Sequence, residues 1–446
     1  MFKNFINALK VTDLRKKILF TIFIVMIFRI GSTITVPFLD PTALAKIMEL
    51  SAGADSGSFL GLLNIMSGGG FERATLFAMS VTPYINASII IQLLTVAIPA
   101  LERLSKEGEE GRKKLGQITR YTTVVLGLIE GTAFYFFLRG SIRDESGAVI
   151  QVPKYVAGFD GIFTAVLIVL VLTAGSALMM WLGEQINEKG IGNGISILLF
   201  AGIVSRAPDV VRMFISRIQI GLQGQTGEFA YLIAIVVLFT AIIGFIIFMN
   251  DGERRIPVQY AKRVVGRKMY GGQSSFMPIK ANMSGVLPII FASSILTIPT
   301  TIAQFVVPKE GSFWNSIVEL FKAQQSWLYV GIYFLLILGF SYFYVSIQYN
   351  PLEMANNLKN NNGTIPGLRP GRTTADFIAK IIRKITLLGA LMLSVVVILP
   401  LILGILFKQN LSLGGTSIII IVGVVLETMR SIESQMMMRH YKGFLE

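Results

Sequence analysis

Residues 160–182 read DGIFTAVLIVLVLTAGSALMMWL, with a single charge, Asp160, at the first position. An α-helix rises 1.5 Å per residue and the hydrocarbon core of a bilayer is about 30 Å thick, so about 20 such residues cross it. In lipid, only a helix satisfies every backbone polar group within one segment, unless the chain closes into a barrel. Comparable runs lie at 18–37, 75–98, 121–138, 229–249, 286–307, 327–349, 386–407 and 415–430. A shorter one, 191–204, sits between the turn-rich Lys189-Gly190-Ile191-Gly192-Asn193-Gly194 and Ala207-Pro208. The pattern predicts an all-α polytopic membrane protein with ten transmembrane helices.

Composition points the same way. Of 446 residues, 53% are hydrophobic and 15% charged, and the mean hydropathy is +0.66. Soluble domains carry about 25% charged residues. The net charge of +14 is no nucleic-acid signature, because the basic residues sit between apolar runs and not on one soluble face. The chain has no cysteine and one histidine, His440. Disulfides, thiolate chemistry and histidine-based relays or metal clusters are excluded. With no zinc-protease motif, Ser-His pair or phosphate-cradling glycine loop, neither catalytic residues, metal nor cofactor are expected. The first apolar run, after Lys16 and Lys17, lacks a small-residue cleavage site and predicts a retained helix ending at Val36-Pro37.

Ten spans put both termini on one side. Lysine and arginine choose the side: 28 fall on the face shared by the termini and 11 on the other, with Arg29 inside a span. The excess marks the cytoplasm. Two cytoplasmic loops, 250–285 and 350–385, are long and polar, with turn signals at Gly271-Gly272, Pro366-Gly367 and Pro370-Gly371. They are either solvated topogenic loops or a basic platform for a partner.

The chain also repeats itself. Pro83-Tyr84-Ile85-Asn86-Ala87-Ser88 in span two and Pro288-Ile289-Ile290-Phe291-Ala292-Ser293 in span seven share Pro-x-Ile-x-Ala-Ser. Gly194-Ile195-Ser196-Ile197 in span five and Gly415-Thr416-Ser417-Ile418 in span ten share Gly-x-Ser-Ile. Two with seven and five with ten imply a five-plus-five duplication, with halves 1–225 and 226–446. Halves with an odd number of spans are inverted relative to one another, and such repeats put a pathway at their interface.

Three features are candidate working parts. The segment Phe59-Leu60-Gly61-Leu62-Leu63-Asn64-Ile65-Met66, followed by Ser67 and glycines 68–70, is too short to span. It is either an interfacial segment or a re-entrant plug on a glycine hinge. Arg29, Gln92 and Glu130 fall inside spans, where a central charge costs about 2.5–3.5 kcal/mol, so they should face protein or water, or snorkel. Ile85, Ile290, Leu199 and Ile420 occupy matched places in the repeat, as lipid-facing side chains or as a hydrophobic constriction that closes by dewetting.

Taken together, these stretches resemble the SecY family of protein-conducting channels. The resemblance runs from Phe28-Arg29-Ile30-Gly31-Ser32 to the last helix. It is most specific in 83–94, in Trp181-Leu182-Gly183-Glu184-Gln185-Ile186, in 190–196, in Pro366-Gly367-Leu368-Arg369-Pro370-Gly371 and in Leu413-Gly414-Gly415-Thr416-Ser417. It implies a passive channel that moves unfolded secretory chains across the membrane and releases hydrophobic segments sideways into lipid. It further implies a waist ring at Val81, Ile85, Ile195, Leu199, Ile290 and Ile420, and a plug helix matching 59–66. The same likeness suggests a lateral gate between spans two and seven, with polarity at Gln92 and Glu130. Docking contacts fall on Lys262, Arg263 and Arg369. The implied partners are the SecE and SecG membrane subunits, the SecA motor, the ribosome, signal peptides and the bilayer. A secondary transporter would need a midplane substrate or ion site, and the matched repeat positions are apolar. An intramembrane enzyme would need catalytic groups that the sequence lacks.

The charge asymmetry gives the first prediction. In this cysteine-free chain, Arg143→Cys is labelled by an impermeant thiol reagent added outside intact cells. Arg369→Cys reacts only after lysis. The opposite pattern overturns the orientation.

Overall fold

The computed structural model describes residues 9–52, 64, 67–139, 142–143, 149–150, 152–156, 158–223, 227–260, 263–265, 268–270, 274–305, 321, 326–407 and 415–442. The fold is nearly all helical, and each of the ten apolar runs falls on a helix. Among the described residues, six helices are long and apolar enough to cross a membrane, or seven with one bent pair counted as a span. Two compact units are present: Met1–Val237 with Leu296–Gln324 and Lys408–Glu446, and Leu238–Ile295 with Gln325–Phe407.

In the first unit, α1 is Thr12–Gly31, six residues earlier at each end than the predicted 18–37. The polar Thr12–Lys17 stretch joins the helix. The end is set at Gly31 because Ser32 and Thr33 turn their hydroxyls back onto the carbonyls of Arg29 and Ile30, each at 2.7 Å. Gly31 also lies against the Phe77 ring, leaving no room for a Cβ. Arg29 is therefore an exposed side chain in the last turn, where the helix dipole favours a cation, and not a mid-span charge. Val36 leaves the helix altogether and joins a core with Leu39, Leu44, Phe71, Leu138, Ile168 and Leu172. Asp40 opens α2, Pro41–Ala52, accepting from the Thr42 amide and hydroxyl at 2.9 and 2.7 Å. Those bonds, the hydroxyl first, hold its carboxyl below the usual range.

Span two is shorter than the predicted 75–98. Here α3 is Thr82–Ala97, and 75–81 form turns that include Ser80 in the left-handed region, φ 51°. Pro99 then opens α4, Pro99–Lys106, bent 102° from α3. Next come α5, Glu109–Arg139, and α6, Gly158–Lys189, 31 and 32 residues long and packed together. Gly127 makes that approach close: a Cβ there would stand 3.2 Å from Ser176 Oγ and Thr173 Cγ2. Small residues at such contacts let helix backbones meet without help from water.

The run at 191–204 ends before Ala207-Pro208 as expected, but it does not cross a bilayer alone. After α7, Gly194–Val204, the helix restarts as α8, Ala207–Leu222, and together they are long enough for a span. Pro208 is in the first turn of α8, where the missing amide costs nothing, so it starts a helix there. α9 is Gly227–Asp251, α10 Leu287–Phe305 and α11 Trp327–Gln348. α14, Gly415–Lys442, extends twelve residues past the predicted 430. Four buried hydroxyls are satisfied by their own helices: Thr123, Thr173, Thr386 and Ser394 each donate to the carbonyl four residues earlier at 2.7–2.8 Å. Those of Thr82, Tyr333 and Ser341 have no partner among the described residues.

The sequence repeat has a structural counterpart. α3 and α10 each place their proline, Pro83 and Pro288, second in the helix. Each is preceded two residues upstream of the helix by a left-handed residue, Ser80 at φ 51° and Gly285 at φ 64°. α7 and α14 each begin on the matched glycine, Gly194 and Gly415.

The second unit carries an apolar core outside the bilayer-length runs. Two strand pairs are very short: β1, Ile142–Arg143, with β2, Val149–Ile150, in the first unit, and β4, Arg263–Val265, with β5, Lys268–Tyr270, in the second. β3, Glu253–Tyr260, pairs antiparallel with β6, Ser274–Lys280, and with the short β7, Gly363–Thr364. Ile256 and Val258 alternate inward along β3. They meet Ile279, Leu358 from α12 (Pro351–Asn360), and Ile378 and Ile382 from α13. α13 is Arg372–Phe407, beginning fourteen residues before the predicted 386, because Ala375, Ile378, Ile381, Ile382 and Ile385 continue its apolar face onto this sheet. At 36 residues it is about 54 Å long, well over a bilayer core.

This core generates the second prediction. Ile378 is fully buried, and Ile378→Ala should cost about 2–5 kcal/mol. The effect is read as a lower thermal midpoint in detergent, with faster proteolysis of the 350–371 segment. An unchanged midpoint would show that this sheet does not pack on α13.

Candidate functional site

The first unit fixes the matched helix α7 through the turn that precedes it. Asn187 Oδ1 accepts from the Gly194 amide at 2.7 Å, and Asn193 caps the helix by accepting from the Ser196 amide at 3.3 Å. Thr21 Oγ1, on α1, accepts from the Ile191 amide at 3.2 Å. Gly194 lies against the carbonyl of Gly183, and a Cβ on Gly183 would stand 2.5 Å from Ile195 Cδ1. Two glycines and three polar side chains thus set the height and rotation of Ile195 and Leu199. Leu199 is buried and Ile195 half-buried. α14 packs on α7, with Ile420 buried. Val81, the N-cap of α3, and Ile85 one turn later are buried as well. In the second unit Ile290 is half-buried in the first turn of α10, at the place Ile85 holds in α3.

Of the segment expected as a plug, Phe59, Leu60, Leu62, Leu63, Ile65 and Met66 lie outside the described residues. Asn64 is described and buried. Its side chain donates to Glu72 Oε2 and accepts from the Glu72 amide, both at 3.1 Å. The glycines that follow make a left-handed turn, Gly68 at φ 66° and Gly69 at φ 81°. That turn rests on the end of α7: Ser205 Oγ donates to the Gly68 carbonyl at 3.2 Å, and a Cβ on Gly68 would be 3.0 Å from the Gly202 carbonyl. The same helix therefore carries two waist candidates and the seat of the segment's exit.

Two of the in-span polar residues make side-chain hydrogen bonds. Glu130 on α5 accepts from Asn86 Nδ2 on α3 at 2.8 Å. Gln92 donates to Ser88 Oγ on its own helix at 3.3 Å. Asn86 was visible in the repeated motif, where its counterpart is Phe291, but nothing in the sequence paired it with Glu130. A second contact, Arg120 Nε to Glu184 Oε1 at 2.8 Å, ties α5 to the Trp181–Ile186 stretch of α6.

Of the basic loop residues, Lys262 lies outside the described residues and Arg263 opens the short strand β4, Arg263–Val265. Arg369 is exposed at a tip framed by Pro366 and Pro370, with Gly367 at φ 82° and Gly371 at φ 110°. Its carbonyl accepts from Thr374 Oγ1 at 2.8 Å, which fastens the tip to α13. Arg254, Lys280 and Arg372 are also exposed in this unit. Among the described residues, no group of three histidine, aspartate or glutamate side chains could hold a metal ion.

A nearly all-helical bundle with several bilayer-length apolar helices is a multi-pass membrane protein. The SecY family model matches residues 75–429. The protein translocase subunit SecY of Mycobacterium tuberculosis H37Rv is 44% identical over 460 residues, covering all of both chains. That of Streptomyces galbus is 43% identical over 452 residues, again covering all of both. Among solved structures, one described as a protein conducting channel superposes with a TM-score of 0.60 at 17% identity, covering 94% of this chain and 92% of that one. Sec61 in the canine ribosome-channel complex gives 0.58 at 15% identity with the same coverage. The chain belongs to the SecY family.

The seam supplies the third prediction. Asn86→Ala leaves the half-buried Glu130 carboxyl without its donor and should cost about 1–3 kcal/mol. Glu130→Gln should restore much of that loss, so a double-mutant cycle of thermal stability is non-additive by at least about 0.5 kcal/mol. Additive losses would mean that the two side chains do not interact in the membrane.

Proposed function

We propose that this chain is a protein-conducting channel of the bacterial cytoplasmic membrane, with both termini in the cytoplasm. It moves unfolded secretory polypeptides across the bilayer and passes hydrophobic segments sideways into lipid. The observation that carries this reading is the recurrence of apolar side chains at equivalent helical positions in the two sequence halves. Ile85 and Ile290 lie in first turns opened by Pro83 and Pro288, and Leu199 and Ile420 follow the helix-starting Gly194 and Gly415. Four aliphatic side chains at symmetry-matched places suit a waist that binds nothing and seals by excluding water. Val81 and Ile195 complete it.

The halves 1–225 and 226–446 clasp the pore, and residues 59–66 plug it. Gln92 and Glu130 lie at the lateral gate. The chain does no bond-making chemistry and draws its drive from partners: SecA, or the ribosome, which is present in the solved canine channel complex. SecE and SecG accompany it in the membrane, and signal peptides open it. Lys262, Arg263 and Arg369 form the docking face, where a fixed guanidinium fork on a proline-framed tip meets carboxylates or phosphates.

The test is electrical. Ile85→Asn with Ile290→Asn should turn a silent channel into one with resolvable resting openings in planar bilayers, and deletion of residues 59–66 should lengthen them. A correctly inserted double mutant as silent as wild type would remove these residues from the pore.

A further inference from the structure

We propose that the groove between α5 and α6 is a binding site for one anionic phospholipid, its phosphate held by Arg139. A groove of about 730 Å³ opens between these helices within the first unit. Arg139 and Gly158 line one end, and Leu128 and Leu170 the other. Phe136, Ile162 and Val166 flank it and are more than half exposed, so its walls are apolar.

Length argues for a lipid. From Arg139 to Leu128 is eleven helical residues, about 16 Å, and from Gly158 to Leu170 is twelve, about 18 Å. Both distances are close to half of a hydrocarbon core about 30 Å thick. The groove is thus one leaflet deep. A transmembrane helix from another subunit would need a seat about twice as long, whereas an acyl chain whose headgroup lies at Arg139 fits it.

Charge argues for an anionic headgroup. Arg139 is exposed in the last turn of α5, and among the described residues no carboxylate pairs with it. Asp160, in the first turn of α6, is exposed and does not line the groove. An arginine that merely snorkels at a helix end would satisfy the dipole and the interface without any cavity. Here Arg139 itself lines the groove. Its planar fork suits a phosphate better than the ammonium of a lysine would. Gly158 and Gly161 add no side chain to block the mouth. The site lies apart from the waist residues and stands whether or not the pore assignment holds.

Native mass spectrometry of the full-length chain from detergent micelles doped with phosphatidylglycerol or phosphatidylcholine tests this. Wild type should retain one phosphatidylglycerol, and Arg139→Gln should lose it by about tenfold or more. Thr132→Phe, which fills the groove from an exposed lining position and keeps Arg139, should lose it to a similar extent. Phosphatidylcholine retention should be low and the same in all three. Retention of phosphatidylglycerol by either variant overturns the site: by Arg139→Gln because the headgroup contact is absent, by Thr132→Phe because the groove is not used. A membrane polypeptide that co-purifies with wild type, excludes the lipid and is lost with Thr132→Phe would also overturn it, in favour of a helix.

Discussion

No water is available in the hydrocarbon core to take a backbone hydrogen bond, and the rest of the structure follows from that. Helices answer the constraint along most of the chain. The hydroxyls of Thr123, Thr173, Thr386 and Ser394 answer it on the side chains by bonding back to their own helices. Where the backbone leaves the helix near the apolar runs, it is bonded locally. The 67–81 stretch is the main example: the Thr75 amide donates to Gly70, the Gly69 amide to Asn64, and Ser205 Oγ reaches Gly68. Its backbone is irregular but well satisfied.

With no hydrophobic force to press helices together in lipid, close contact depends on small residues. Gly194 against the Gly183 carbonyl and Gly175 against the Leu76 carbonyl are places where a Cβ would collide, and Gly127 between α5 and α6 is a place where it would fit only tightly. These contacts do more than hold helices together. The Gly183–Gly194 approach, with Asn187 and Asn193, determines where α7 starts and hence where Ile195 and Leu199 point.

Outside the lipid the rules revert to those of water. The sheet of β3, β6 and β7, with α12 and the first turns of α13, buries Ile256, Val258, Ile279 and Ile378 as a small soluble core does. That core lets one helix serve two solvents, its C-terminal part apolar all round and its N-terminal turns amphipathic. It also gives the Arg369 tip a rigid base through Thr374. A basic loop that was only solvated would present its charges in no fixed direction.

The sequence by itself determined the class. Runs such as 160–182 have no soluble alternative, and the lysine and arginine asymmetry, the Pro-x-Ile-x-Ala-Ser repeat and the family likeness are properties of the residue string. Helix ends were poorly legible because hydropathy measures what lipid tolerates, not where the ladder stops. Gly31 ends α1 because Phe77 packs there, α13 starts early because a sheet receives its apolar face, and Pro208, beyond the end of α7, lies in the first turn of a further helix. Only the tertiary structure paired Glu130 with Asn86, moved Arg29 from mid-span to a helix end, and brought Arg139 to the mouth of a groove. Each is a relation between side chains on different segments or a local end condition set by a distant contact. Periodicity along one segment carries no term for what packs against it.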